Sequence, residues 1–190
     1  MALWGATDAD ESKPKWMTTA DKKEVLATTA GWVVEAGSAM TGNDNTASTP
    51  EVLVATGGLT VSLGAATIDS VDWNITTFDK SAGGTLSVTV RYNEAVDVAT
   101  SNPTLIVTNS VNANHTLTYA SGTGSNELVF TLAIAAANAA TDAADVLSVA
   151  AQSVVLAGGS TIKDAGTSTN SELVITTAQG TAAGSITVVA

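Results

Sequence analysis

From residue 67 onward the chain is a succession of short runs, either alternating in polarity or dense in β-branched residues, most of them separated by turn-forming residues. Runs of this length and period specify strands, and their close spacing specifies a sandwich or small barrel. Leu86-Ser87-Val88-Thr89-Val90-Arg91-Tyr92 alternates strictly, so Leu86, Val88, Val90 and Tyr92 share one strand face. Ile68–Ile75, Thr104–Thr108, His115–Tyr119, Glu127–Ile134, Val146–Val149, Ser153–Leu156, Leu173–Thr176 and Ser185–Val189 read the same way. Ala82-Gly83-Gly84, Ser121-Gly122-Thr123-Gly124, Gly158-Gly159 and Asp164-Ala165-Gly166 supply turns. Gly122-Thr123-Gly124 lies between two strand patterns and is expected to be a hairpin turn. The Ala-rich stretch from Ala135 to Asp145 fits either a short helical turn or a crossing loop. The fold class expected is all-β, an immunoglobulin-like sandwich over 67–190 preceded by an N-terminal arm or small subdomain over 1–66.

That first part has a different texture. It holds Trp4, Trp16 and Trp32, three of the four tryptophans, and four of the seven Lys and Arg. Thr18–Ala27 is its one helix-like stretch, with Thr18 or Thr19 as cap and Asp21 near the positive end of the dipole. Gly31–Val34 and Glu51–Val54 read as strands flanking a Gly42-Asn43-Asp44-Asn45 turn. Two roles stay open for the tryptophans. They form a local core with Val25 and Val54, or some of them insert into a partner, since tryptophan is enriched at interface hot spots. Lys13-Pro14-Lys15 is expected to keep the arm extended, because the residue before proline avoids the helical region. Trp4, Lys13, Pro14, Lys15, Trp16 and Trp32 are therefore the candidate partner-binding residues.

Charge narrows the partners. The formal charge is −11, and Lys13, Lys15, Lys22 and Lys23 are interleaved with acidic residues. Phosphate backbones and anionic membranes are held by clustered cations, so neither nucleic acid nor a membrane is an expected partner. No apolar run reaches the length of a membrane span. There is no cysteine, which removes thiolate catalysis and Cys-based zinc sites. His115 is the one histidine, and it sits in a strand pattern with no Gly-x-Ser-x-Gly elbow or phosphate-loop motif elsewhere. No enzymatic activity and no cofactor are expected. Calcium needs six to eight convergent oxygens, and the acidic spacing matches no EF-hand loop. Glu94, Asp97 and Asp164 are the carboxylates kept as calcium candidates, although a solvated rim is the favoured reading.

Four stretches carry a resemblance. They are Tyr92-Asn93-Glu94-Ala95-Val96-Asp97-Val98, then Pro103-Thr104-Leu105, then Tyr119-Ala120-Ser121-Gly122-Thr123-Gly124 before Leu128-Val129-Phe130, and finally Gly159–Gly166 with its Thr161-Ile162-Lys163-Asp164 centre. In this order they resemble the bacterial Ig-like repeats of large cyanobacterial and marine surface proteins, over residues 69–176. That resemblance implies an Ig-like fold with adhesive or structural roles. Trp4-Gly5, Glu11–Trp16, Lys22–Val25 and Gly31-Trp32-Val33 resemble the N-terminal signature of small virion proteins of tailed phages, marine cyanophages in particular.

Together the two resemblances imply a virion protein with a docking segment and a displayed Ig-like domain. The expectation is a capsid decoration or cement protein on the outer surface of the shell. Its partner would be the major capsid protein, and it would act as a homo-oligomer, a trimer being possible. The alternative is a tail- or fibre-associated adhesion protein that contacts the host surface. Met1-Ala2-Leu3-Trp4-Gly5 lacks a basic leader region, so no signal peptide is expected and assembly in the host cytoplasm is. A bacterial surface adhesin would need such a signal.

Overall fold

The computed structural model describes residues 13–46, 49–100 and 103–190. Among these the order is α1 (Thr19–Lys23), β1 (Val25–Thr28), β2 (Gly31–Val34), β3 (Glu51–Ala55), α2 (Leu59–Leu63), β4 (Ile68–Trp73), β5 (Phe78–Asp79) and β6 (Gly84–Ala99). There follow β7 (Thr104–Asn109), β8 (His115–Ser121), β9 (Ser125–Ile134), β10 (Val146–Ser148), β11 (Gln152–Ser153), β12 (Thr161–Asp164), β13 (Val174–Ile175), α3 (Thr177–Ala183) and β14 (Ser185–Val189). The fold is an all-β sandwich.

β6 organises it. Its first half pairs antiparallel with β9 on one side and β4 on the other, and its second half pairs with β12. The strand path continues β9-β8-β7-β10-β14-β5, while β11 and β13 form a separate pair. Leu86, Val88, Val90 and Tyr92 of β6 are fully buried, as their alternation requires. They share one apolar cluster with Leu128 and Phe130 of β9, Leu105 of β7, Leu117 of β8, Leu147 of β10 and Ile186 of β14. Tyr119 meets Phe130 edge-on, with ring centroids 6.2 Å apart. The β8–β9 hairpin depends on Gly122. Its φ is +116°, and a Cβ there would stand 1.8 Å from the Glu127 carbonyl oxygen.

The register of β6 with β9 slips between Arg91 and Val96. At this break β1 enters, parallel, with Ala27 opposite Glu94. The three-stranded β1-β2-β3 unit thus joins the large sheet edgewise instead of hanging as a free arm. It has its own apolar cluster of Met17, Val25, Ala27, Trp32 and Leu59, with Met40, Leu53, Val54 and Leu63 against it.

Several expectations need correction. The helix after Thr18 ends at Lys23, because Val25-Leu26-Ala27 is a β-rich apolar run that the sheet claims. Thr18 is its cap, accepting from the Asp21 amide at 3.1 Å. Ala135–Asp145, open between a helical turn and a loop, is a loop. Asp145, only 1% exposed, gathers this loop by accepting from Asn109, Asn112 and the Asp142 amide. The runs at 153–156 and 173–176 shrink to the two-residue strands β11 and β13, shifted to Gln152–Ser153 and Val174–Ile175. α2, β5 and α3 were not anticipated from the sequence pattern.

Candidate functional site

The candidate docking residues separate into anchors and exposed groups. The Met17 amide donates to the Pro14 carbonyl at 3.2 Å, closing a turn with Lys15 and Trp16 at its centre. Pro14 and Met17 are buried on either side of it, and Lys15 is exposed. Trp16 is 69% exposed at the crest of the turn. The chain therefore folds back at Pro14 and is not extended across Lys13–Lys15, because Met17 is drawn into the cluster around Trp32. Trp4 lies outside the described residues.

Lys13 points inward. Its Nζ donates to the Lys22 carbonyl at 2.7 Å, forms an ion pair with Asp69 of β4, and lies 5.6 Å from the centroid of the Trp32 ring. Burial pulls its pKa below the usual lysine range despite the Asp69 carboxylate. Burial likewise pushes Asp69 upward against the pull of Lys13. Lys13 is thus a latch between the N-terminal turn and the sandwich. Trp32 is only 2% exposed and belongs to the local core, which removes it from the docking set.

The seam between β1-β2-β3 and the sandwich is ionic. Arg91 of β6 reaches Glu24 at 3.3 Å, Asp72 at 3.5 Å, and Glu127 of β9. Lys23 pairs with Asp72 at 2.7 Å, and Glu24 also accepts from the Ser38 hydroxyl at 2.7 Å. Asp72 is half-buried, which would raise its pKa, but the hydrogen bonds from Lys23 and Ser70 and the charges of Lys23 and Arg91 hold it below the usual carboxylate range. Networked, partly buried charges of this kind fix orientation more than isolated surface pairs do. The Trp16 turn is consequently held in a fixed relation to the sandwich.

Of the calcium candidates, Glu94 and Asp164 are brought together and Asp97 is not. Asp97 is exposed on the other face of β6, opposite Lys163. Glu94 and Asp164 are each 1% exposed. Burial first, and then the Asp164 charge, push the Glu94 carboxyl up to about 8. Sequence reasoning missed Thr60 of α2, which approaches the same loop as Asp164. Among the described residues no three acidic or histidine side chains converge as a metal centre.

His115 is 5% exposed, and its buried Nε2 has no hydrogen-bond partner. Burial lowers its pKa, while Asp145 acts in the opposite direction. A nucleophilic triad requires a serine hydroxyl bonded to that nitrogen. Among the described residues no helix is long and apolar enough to cross a membrane. No protein family, no curated protein and no solved structure matches the chain.

Proposed function

We propose that this chain is a non-enzymatic virion structural protein of a tailed phage. It binds the outer surface of the major capsid shell through the Trp16 turn and displays an Ig-like sandwich outward, as one subunit of a homo-oligomer. The observation that carries this reading is the placement of Trp16. A tryptophan left 69% exposed at the crest of a turn anchored by buried Pro14 and Met17 leaves a large apolar surface in water, a cost that a partner pocket would relieve. The rigid seam beneath it supports the reading, because a preorganised anchor loses less entropy on binding than a loose arm. The acidic charge of −11 suits dense display, where like-charged neighbours repel and stay soluble. The resemblance of the first 60 residues to phage virion proteins points the same way.

The structure limits how this is tested. Truncation into residues 17–35 would remove Met17, β1 and β2 and so destroy a core, whatever the docking role. Trp16→Ala avoids this and should leave stability within about 0.5 kcal/mol of the parent, because the side chain is largely in water. Its affinity for expanded empty capsids, measured by cosedimentation, should fall about 30-fold or more, the scale of losing one hot-spot side chain. Unchanged affinity would remove the docking turn from the account, and binding confined to isolated tails would move the protein off the shell.

A further inference from the structure

β6 and β12 place two carboxyl groups on one buried face. Their register sets Val96 opposite Asp164 and Val98 opposite Ile162. Residues two apart share a face, so Glu94, Val96 and Val98 line up with Asp164 and Ile162. Continuing that register puts Gly166 opposite Glu94, and the Ala165 amide still donates to the Ala95 carbonyl at 3.0 Å.

The loop after β12 is built around Asp164. Its Oδ1 accepts from the Thr167 amide at 2.6 Å and the Thr167 hydroxyl at 3.1 Å. Its Oδ2 has no partner. Thr60 of α2 approaches from the N-terminal unit. A Cβ on Gly166 would lie 3.3 Å from both Thr60 Oγ1 and Asp164 Oδ1, so Thr60 and Asp164 border the same small space beside Gly166. Thr60 is only 8% exposed, and its hydroxyl also lacks a partner.

Glu94 Oε1 and Oε2, Asp164 Oδ2 and Thr60 Oγ1 are buried here and receive no N–H or hydroxyl donor, while the Glu94 and Asp164 carboxyl groups lie within hydrogen-bonding reach of each other. Buried acceptors without donors are costly, and two buried carboxylates without a counter-charge are more so. No cationic side chain acts on Glu94, the charge that reaches it being that of Asp164. Lys163, next to Asp164 in sequence, alternates to the opposite face beside Asp97, and Arg91, three residues before Glu94, is engaged by Glu24, Asp72 and Glu127. A single shared proton would pair two of the four oxygens and leave one net negative charge buried. A divalent cation would engage both carboxyl groups and cancel both charges.

We propose that Glu94, Asp164 and Thr60 form a calcium site that ties α2 of the N-terminal unit to the loop after β12. The donors are all oxygen, which disfavours zinc and copper. Bidentate use of Glu94 and irregular spacing suit calcium better than magnesium, which demands a near-octahedral set. Water and backbone carbonyls complete the six to eight ligands that calcium takes. Because Leu59, next to Thr60, packs in the Trp32 cluster, the ion would fasten the docking unit to the displayed sandwich. The site is separate from the Trp16 turn, so this proposal and the capsid-binding reading can fail independently.

The test compares thermal unfolding of the full chain near neutral pH in chelator, in calcium and in magnesium, together with calorimetric titration of calcium into the wild type. Calcium is expected to raise Tm by roughly 5 °C or more at saturation, with magnesium giving a smaller shift. Glu94→Gln keeps the shape and removes one buried charge. In chelator it should melt at or above the wild type, and it should lose the calcium shift. Absence of both a Tm shift and binding heat in the wild type at about 10 mM calcium would overturn the site, whether or not the variant folds. One pattern would assign the pair a shared proton instead. The protein would be indifferent to calcium, and its stability would fall as pH rises from about 4.5 through about 8, with that fall absent in Glu94→Gln.

Discussion

Trp32→Ala is expected to lower stability by about 3–5 kcal/mol, enough to drop Tm by roughly 10 °C in a chain of this size. The ring is 2% exposed and is surrounded by Met17, Val25, Ala27 and Leu59, so its removal leaves a cavity that short strands and a five-residue helix cannot collapse around. Lys13 also loses the aromatic face beside its ammonium, while remaining paired with Asp69. Circular dichroism during chemical denaturation measures the change without relying on the deleted fluorophore. The contrast with Trp16→Ala is the informative part. Two tryptophans sixteen positions apart should divide cleanly, Trp32 affecting stability and Trp16 affecting capsid affinity. A stable Trp32→Ala protein would mean that the N-terminal unit does not form the core described.

The second large effect is expected at Arg91. Arg91→Met preserves much of the apolar stem but leaves Glu24, Asp72 and Glu127 without their shared cation. The Arg91 side chain is 19% exposed, between the surface pairs that contribute about 0–1 kcal/mol and the buried ones whose breakage costs about 3–5 kcal/mol. A loss of about 2–3 kcal/mol follows. The pH dependence provides a check with a definite sign. Asp72 has a lowered pKa in the folded parent, held chiefly by Lys23 and Ser70 with a smaller share from the Arg91 charge, so the Arg91 share is present above the unfolded carboxylate range and is lost as pH falls through the folded value. Denaturant midpoints for parent and variant should therefore converge as the pH is lowered through the carboxylate range. A gap that stays constant would assign the loss to packing alone.

The strands that form the sandwich were legible because their burial is one-sided. Leu86, Val88, Val90 and Tyr92 point inward while Ser87 and Arg91 do not, and period two declares this locally. Gly31-Trp32-Val33-Val34 is buried at every position, and such a run has no period from which to tell core from interface. The role of Trp32 was therefore undecidable from the sequence, whereas Trp16 is set by the Pro14–Met17 turn. α3 has a start signal in the sequence. Thr176 and Gln179 form a capping box, the Thr-x-x-Gln spacing that marks a helix start. Its seven residues include Gly180, which packs so closely that a Cβ would lie 2.5 Å from the Val149 carbonyl oxygen. The pairing of Glu94 with Asp164 depends on the β6–β12 register across 70 residues, and Thr60 arrives from a third element. Spacing along the chain carries none of that, and Asp97, near in sequence, alternates to the other face of β6.

The most direct test of the virion reading is a count of this chain in purified tailed-phage particles from the source of the sequence, by quantitative gel densitometry against the major capsid subunit. A decoration role predicts copies in constant proportion to that subunit across preparations, retained on tailless heads and reduced by Trp16→Ala. Absence from the particles, or a low count that follows the tails and not the heads, would contradict it.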